Sequence, residues 1–444
     1  MGHAIVRGLA RVLLAVFYRR VDTHGLERVP RRGPLVVAAN HHNALVDAML
    51  LLATLPRRLS PVAKAPLFAN PQIAPFLWLA GAIPVHRRQD SAGDPARNAA
   101  MFAEATARLR RGDGILIFPE GVSQPEPVLK PLRSGLARMV LGAMHASPEL
   151  AVTVLPVGLV FQRPAEFRTG RALVVIGEPI AAADLARRHA TDPEGAVREL
   201  TDRVAAALRA LIVEADDRQT LRLLEIAHAV WREDDDEAPG ADRLAWMQEA
   251  LRRWRTLPPS LGRRAERLQR ELERYDKDAS LAGAPGPRRR RAGPLYTLRE
   301  GLSLAVGLPL ALAGTAIHAP GYQATARLVR ALDPEPDTAA TYQLAAGLVL
   351  FPLSWIAEAL VLAAALGAPA VRVFAALLAP AGFFALAWHD RWGRLARDVR
   401  GWLGLVAHRD LDARLAARRR WLREELVALA RLTRDSAPGA PVAP

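Results

Sequence analysis

The sequence predicts an α/β domain, followed by a charged helical region and then a hydrophobic helical region of the kind that enters membranes. Three observations predict this. Between residues 34 and 215 short apolar runs alternate with stretches of helical period, the pattern of helices layered on a mostly parallel sheet. From Asp216 the chain turns charged, with apolar residues at helical spacing. Beyond about residue 293 come charge-poor blocks near the roughly 20 residues that a membrane-spanning helix needs. The 444 residues therefore divide into an amphipathic N-terminal helix (1–17), an α/β domain (18–215), a charged helical region (216–292), membrane helices (293–390) and a basic helical tail (391–444).

In the first segment Ile5, Leu9, Val12, Leu13 and Val16 recur at helical spacing, and Arg7 and Arg11 lie four apart. Two readings stay open: the helix lies on a bilayer surface, or it packs against the α/β domain. The arginines interrupt any secretory h-region and no A-x-A site follows, so the segment is expected to stay attached. In the α/β domain, strands are expected at 34–39, 83–85, 114–118, 151–160 and 172–176, and helices near 44–55, 95–111, 132–146 and 194–213.

In the charged region Leu221, Leu224, Ile226, Val230, Trp246, Leu251, Trp254, Leu268, Leu272 and Tyr275 are the expected core, with breaks at the acidic 233–237 and at Pro258-Pro259. Glu225 and His228 have the E-x-x-H spacing of di-iron bundles, but no second copy exists, so His228 is read as an ordinary core-facing histidine. Then Arg288–291 precede the apolar blocks 301–317, 344–371 (interrupted by Glu358) and 373–388, after which Arg391, Arg394, Arg397 and Arg400 follow. Basic flanks on both sides favour the cytoplasm, which requires an even number of crossings. Three blocks conflict with that parity, so one is expected to re-enter or lie in the interface, at Pro309, Pro352 or Pro380. The tail, with Arg418–420 and Leu422, Leu426 and Leu429, reads as a second surface helix.

Composition narrows the chemistry. The chain has no cysteine, which excludes disulfides, thiolate metal sites and a Cys nucleophile. Its net charge of +15 suits phosphates, whether of nucleic acid, lipid headgroups or a phosphorylated substrate. Zinc-finger spacing, an RNP-like motif and bZIP heptads are all missing from the sequence, so nucleic acid is not an expected partner. No His/Asp/Glu cluster has metal-ligand spacing.

The candidate site begins where the first strand should end, in Asn40-His41-His42-Asn43-Ala44-Leu45-Val46-Asp47. His42 and Asp47 would lie roughly 140° apart on a regular helix. They meet if His42 sits on the strand-to-helix turn and Asp47 one turn inside the helix. Asp47 would then hold Nδ1 of His42 and leave Nε2 to take a proton from a hydroxyl, with His41 a neighbour.

Further motifs follow in order: Gly81-Ala82-Ile83-Pro84-Val85-His86-Arg87, Phe118-Pro119-Glu120-Gly121, Leu132-Arg133-Ser134-Gly135 and Val154-Leu155-Pro156-Val157. With the His–Asp block, this series resembles the glycerolphosphate acyltransferase superfamily over residues 18–215. In finer pattern it is similar to the dual glycerol-3-phosphate/dihydroxyacetone-phosphate acyltransferases, which also carry a hydrophobic C-terminal region. The resemblance implies an α/β acyltransferase fold and an O-acyltransferase of phospholipid synthesis. It implies acyl-CoA or acyl-carrier protein as donor, with no cofactor or metal. The acceptor would be glycerol 3-phosphate or dihydroxyacetone phosphate, and the location the cell membrane, with the catalytic domain on the cytoplasmic side. It gives His42 and Asp47 the catalytic roles, Arg87 the acceptor phosphate, and Glu120 with Gly121 the shaping of the acceptor pocket. Arg133 stands where relatives often carry a cation, and Lys64 either adds charge or is plain surface. Val122-Ser123-Gln124 replaces the frequent Thr-Arg-Ser, so one Arg contact is missing, for which Arg133 or Arg168 would compensate; Ala44 replaces a frequent Ser. Two alternatives remain: acylation of 1-acylglycerol 3-phosphate, and a noncatalytic membrane lipid-binding protein.

Overall fold

The computed structural model describes residues 2–71, 73–86, 95–162, 166–168, 170–232, 240–281, 294–407 and 409–435. They form two compact units, Met1–Glu214 with Tyr322–Leu350, and Ala215–Gly321 with Phe351–Pro444. In the first unit α1 (Gly2–Phe17) leads to β1 (Arg20–His24), β2 (Leu35–Ala39), α2 (Ala44–Thr54), β3 (Leu59–Lys64), α3 (Ala74–Leu79) and β4 (Ile83–Val85). Then come α4 (Pro95–Arg110), β5 (Gly114–Ile117), α5 (Gly135–Ala146), β6 (Thr153–Gln162), β7 (Arg171–Ile176), β8 (Ile180–Ala181), α6 (Ala183–His189) and α7 (Pro193–Arg209).

The strands join one sheet in the order β1-β7-β6-β2-β5-β3-β4, with β8 beside β6. β2 lies at its centre, parallel to both neighbours, with Val37 opposite Leu116 on β5 and Leu155 on β6. Its five residues are wholly buried, as expected of a central parallel strand covered on both faces. Its side chains divide by parity. Leu35, Val37 and Ala39 pack with Leu51 and Leu52 of α2 and with Leu55 just beyond it, whereas Val36 and Ala38 pack with Leu109 of α4, Leu136 of α5 and Leu200 of α7. Because β2, β5, β3 and β4 run parallel, the residues following them gather along one carboxyl edge, where open α/β sheets place their chemistry.

All five expected strands and four expected helices are present, with ends shifted by up to four residues. The sequence reading omitted β1, β3 and the two-residue β8. β1 is polar except for Val21 and lies at the sheet edge, and β3 carries a proline and ends in an exposed lysine, so neither presents a clean apolar run.

α1 packs against the domain and so realises one of its two open readings. The buried stripe is Val6, Ala10, Leu14 and Phe17, leaving Ile5 and Val12 outside. Arg7 and Arg11 turn inward: their Nε atoms donate to the carbonyls of Leu52 and Ala53, 3.0 Å each, satisfying the C-terminal end of α2.

After α7 the chain forms α8 (Arg218–Trp231), α9 (Gly240–Arg255) and α10 (Gly262–Leu281), then three long helices, α11 (Pro294–Leu332), α12 (Ala339–Leu366) and α13 (Ala368–Ala407), and then α14 (Arg409–Asp435). α14 is not an independent surface helix, as the tail was expected to be. Leu422 and Leu429 pack with Val230 of α8 and Leu268, Leu272 and Tyr275 of α10 in one apolar cluster. The region 293–390 is likewise not a unit of its own, because the end of α11 and the start of α12 belong with the α/β domain. Arg288–291 lie outside the described residues. Stretches of α11, α12 and α13 are long and apolar enough to cross a membrane, by length and composition, and little of their apolar windows is buried. Pro309, Pro352 and Pro380 all sit inside continuous helices. A proline costs one helical hydrogen bond, which neighbouring groups in apolar helices compensate. α12 and α13 are separated at Gly367, whose φ of 78° ends α12.

His228 is buried on α8 with its ring 5.2 Å from that of Trp246. Burial first, then Arg243 and Arg232, lowers its pKa to about 4. The unfolded chain takes up this proton near the ordinary value of about 6.5, the folded chain only near 4. Stability is therefore full above about pH 6.5 and falls as pH drops towards 4. The loss is a few kcal/mol at most, since each tenfold change in proton affinity is worth about 1.4 kcal/mol and solvent reaching the ring edge reduces it. His228→Leu should flatten this part of the pH–stability curve, which thermal melts between pH 4 and 7 would measure. An unchanged slope would remove His228 as its source.

Candidate active site

β2 ends in a turn that its own side chains lock. Asn40 is fully buried and exchanges two hydrogen bonds with Leu159 of β6: Nδ2 donates to the carbonyl at 2.8 Å, and Oδ1 accepts from the amide at 2.6 Å. Asp47, fully buried one turn inside α2, reaches back over the turn. Its Oδ2 accepts from the backbone N–H groups of His42 and Asn43, 2.8 Å each, and lies 2.8 Å from Nδ1 of His41.

This corrects the expected pairing. The imidazole on Asp47 is that of His41; His42 meets the carboxylate through its backbone amide, and its Nδ1 donates to the carbonyl of Gln124 at 3.1 Å. The reason is the parity of β2. Odd-numbered side chains face α2 and even-numbered ones face away. Carried two residues past the strand, that alternation turns His41 towards the helix bearing Asp47 and His42 from it. Which face of β2 meets α2 is set by packing, so spacing along the chain did not show it.

Facing a carboxylate, Nδ1 of His41 holds the ring proton, and Nε2 keeps its lone pair. Phe118 stacks on the ring, with centroids 4.2 Å apart and planes at 14°. The Phe118–Gly121 turn is closed by the Gly121 amide donating to the Phe118 carbonyl at 3.0 Å. Gly121 has φ 72°, and the side chain of Arg133 passes 3.2 Å from where a Cβ would stand. Any other residue there would meet both backbone strain and Arg133.

Glu120 is tied into the turn by hydrogen bonds. Only 2% exposed, it accepts from the His41 amide at 2.8 Å through Oε1, and from the Lys130 amide at 2.9 Å and Gln124 Nε2 at 3.4 Å through Oε2. It therefore braces the histidine turn against the loop after β5. Burial pushes its carboxyl above the usual range, against the opposing pull of the Lys130 and His41 amides. Gln124 completes the brace, donating its amide to the His41 carbonyl at 3.1 Å. The sequence reading also passed over Tyr18, whose buried hydroxyl accepts from Asn43 Nδ2 at 2.7 Å. Burial and the nearby Asp47 charge hold that hydroxyl far above its ordinary pKa, hence neutral.

The first amides of α2 are all taken. Ala44 donates to Ser123 Oγ at 3.1 Å, Leu45 to Thr341 Oγ1 at 3.3 Å, and Val46 to the Asn43 carbonyl at 2.9 Å. This helix end thus offers no free donors to a phosphate, although helix N-termini commonly do. Lys64 is exposed at the end of β3, two strands from β2 on the same carboxyl edge. Arg133 is exposed beside the Pro-Glu-Gly turn, its amide 2.8 Å from the Pro119 carbonyl. Arg87, two residues beyond β4, lies outside the described residues. Arg168 does not compensate for the missing Arg contact: its guanidinium donates to the Ala15 carbonyl of α1 at 2.8 Å. Among the described residues no group of three His, Asp or Glu is placed to hold a metal ion.

Residues 20–160, from β1 into β6, match the acyltransferase family. The chain carries an acyltransferase domain. The matched stretch contains His41, Asp47, Phe118 and Glu120. An uncharacterized acyltransferase of Schizosaccharomyces pombe is 24% identical to it, over 50% of this chain and 45% of that protein. Glycerol-3-phosphate O-acyltransferase 1 of Saccharomyces cerevisiae is 35% identical, over 28% of this chain and 17% of that protein. The alpha form of 1-acyl-sn-glycerol-3-phosphate acyltransferase from Bos taurus is 26% identical, over 37% of this chain and 56% of that protein. The matches thus span only part of each relative's length. The acyltransferase domain, with its relatives of both acceptor types, fits the glycerolphosphate acyltransferase superfamily.

Proposed function

We propose that this chain moves a fatty acyl group from a thioester donor, acyl-CoA or acyl-carrier protein, to a hydroxyl of glycerol 3-phosphate, with dihydroxyacetone phosphate as a second acceptor. The observation that carries this reading is the 2.8 Å contact of His41 Nδ1 with buried Asp47 on the carboxyl edge of the sheet. In this reading Nε2 of His41 removes the acceptor hydroxyl proton as its oxygen attacks the thioester carbonyl. The C–S bond then breaks, and the thiolate takes the proton back from the imidazolium. Asp47 stabilises that imidazolium and fixes its orientation. Arg87, Arg133 and Lys64 supply positive charge for the acceptor phosphate. The three apolar helices hold the protein in the membrane, with the acyltransferase domain on the cytoplasmic side, where both substrates are soluble or interfacial.

Acylation of 1-acylglycerol 3-phosphate is a second reading, favoured by the relatives of that type. Both acceptors present the same phosphate, and they differ in the acyl chain that one already carries. Purified full-length protein in detergent, given labelled acyl-CoA and each acceptor alone and in competition, is expected to give the highest kcat/KM with glycerol 3-phosphate. Preference for the lysolipid would transfer the assignment to the second reading. Phospholipid binding without thiol release on any acceptor would favour a noncatalytic role.

A further inference from the structure

We propose that Thr341, at the start of the apolar helix α12, is a positioning residue for the catalytic turn, holding the end of α2 through which Asp47 orients His41. The proposal rests on the reading of His41 and Asp47 given above. The amides around the turn from β2 to α2 each have one acceptor. Those of His42 and Asn43 go to Asp47, that of Ala44 to Ser123, and that of Val46 to the carbonyl of Asn43. The amide between them, on Leu45, is satisfied from a site 296 residues away, by Thr341 Oγ1 at 3.3 Å.

The contact is built, not incidental. Ala340, the preceding residue, is wholly buried among Leu14 and Phe17 of α1 and Val46 and Leu50 of α2, with Leu344 packed alongside. Val46 and Leu50 flank Asp47 on the same helix, so this packing fixes α2 in rotation as well as along its axis. The adjoining Asp337 is 6% exposed. From this anchored turn α12 continues to Leu366 as one of the apolar helices, with Glu358 as the sole charge in it. The catalytic helix therefore takes one of its caps from the element that continues into the membrane-type segment, not from the α/β domain's own sequence. Removing this side-chain acceptor leaves the partly buried Leu45 N–H unpaired, and the resulting drift of α2 shifts Asp47 relative to His41.

Thr341→Val keeps the shape and removes the acceptor; Thr341→Ser keeps the acceptor. In the full-length protein the valine variant is expected to lose about tenfold in kcat with acceptor and donor KM unchanged, since small misplacements at a reacting centre cost roughly one to two orders of magnitude. The serine variant should recover most of the rate, and Tyr342→Phe, on the exposed neighbour, should match wild type. Hydrogen exchange of peptides covering residues 42–48 should accelerate in the valine variant alone. If the valine variant does not fold, Thr341→Ala removes the same acceptor with less bulk and is read in its place. Wild-type kcat and wild-type exchange in a folded Val or Ala variant would overturn the proposal, as would a change confined to KM. His41→Ala separates the two layers of inference: if it is inactive while Thr341→Val is normal, only the positioning role fails, and if it is fully active, the base assignment fails first.

Discussion

His41→Ala is expected to lower kcat by at least about a thousandfold, whereas His42→Ala should retain activity within about tenfold, given that a positioned general base contributes roughly 10²–10⁴. Both rings have an oxygen at Nδ1, so tautomer alone does not separate them: His41 has the Asp47 carboxylate and His42 the Gln124 carbonyl. What separates them is charge. When the base takes up the acceptor's proton it becomes an imidazolium, and a buried carboxylate 2.8 Å away stabilises that cation far more than a carbonyl dipole does. His41 is also held on its face by Phe118 and through its amide by Glu120, so its Nε2 is fixed before substrate arrives. Steady-state kinetics on the two variants, with melting curves to show that both fold, decide the matter. Full activity in His41→Ala with loss in His42→Ala would reverse the assignment.

The second large effect is expected at Asp47. Asp47→Asn should lower kcat by a similar factor and the melting temperature with it, because the same oxygen serves chemistry and structure. Oδ2 accepts from two backbone amides and from the His41 ring. Asparagine retains one acceptor oxygen but brings an NH₂ group that can only donate, and it removes the negative charge opposite the imidazolium. Asp47→Ala leaves those donors unpaired in a buried turn, at about 1–3 kcal/mol each, enough to consume much of the 5–15 kcal/mol by which a typical domain is stable. The discriminating measurement is Asp47→Asn: if kcat holds at the wild-type level in a folded protein, the carboxylate is a cap only, and orientation of His41 must come from Phe118 and Glu120.

Much of this was open to a reader of the residues. The buried run Leu35–Val36–Val37–Ala38–Ala39 identifies itself as a central strand because a parallel strand covered on both faces needs no polar alternation. The blocks around Asp47 and Glu120 locate the site for a similar reason: loops at strand ends carry polar residues that an apolar core would exclude. β1 and β3 stayed hidden because their stability comes from neighbours, β7 and β5, not from their own pattern.

By itself the amino-acid sequence determined the α/β layering, the apolar helices, the His–Asp block and the place of Glu120 in the chain, since each follows from local periodicity, composition or motif spacing. Tertiary structure alone decided which imidazole Asp47 holds, that Glu120 braces the turn, that Arg7 and Arg11 close the end of α2, and that Thr341 meets Leu45. The physical reason is the same throughout. A hydrogen bond depends on direction within a fraction of an ångström and some tens of degrees, and that direction is set by how strands and helices pack, which residue spacing along the chain does not encode.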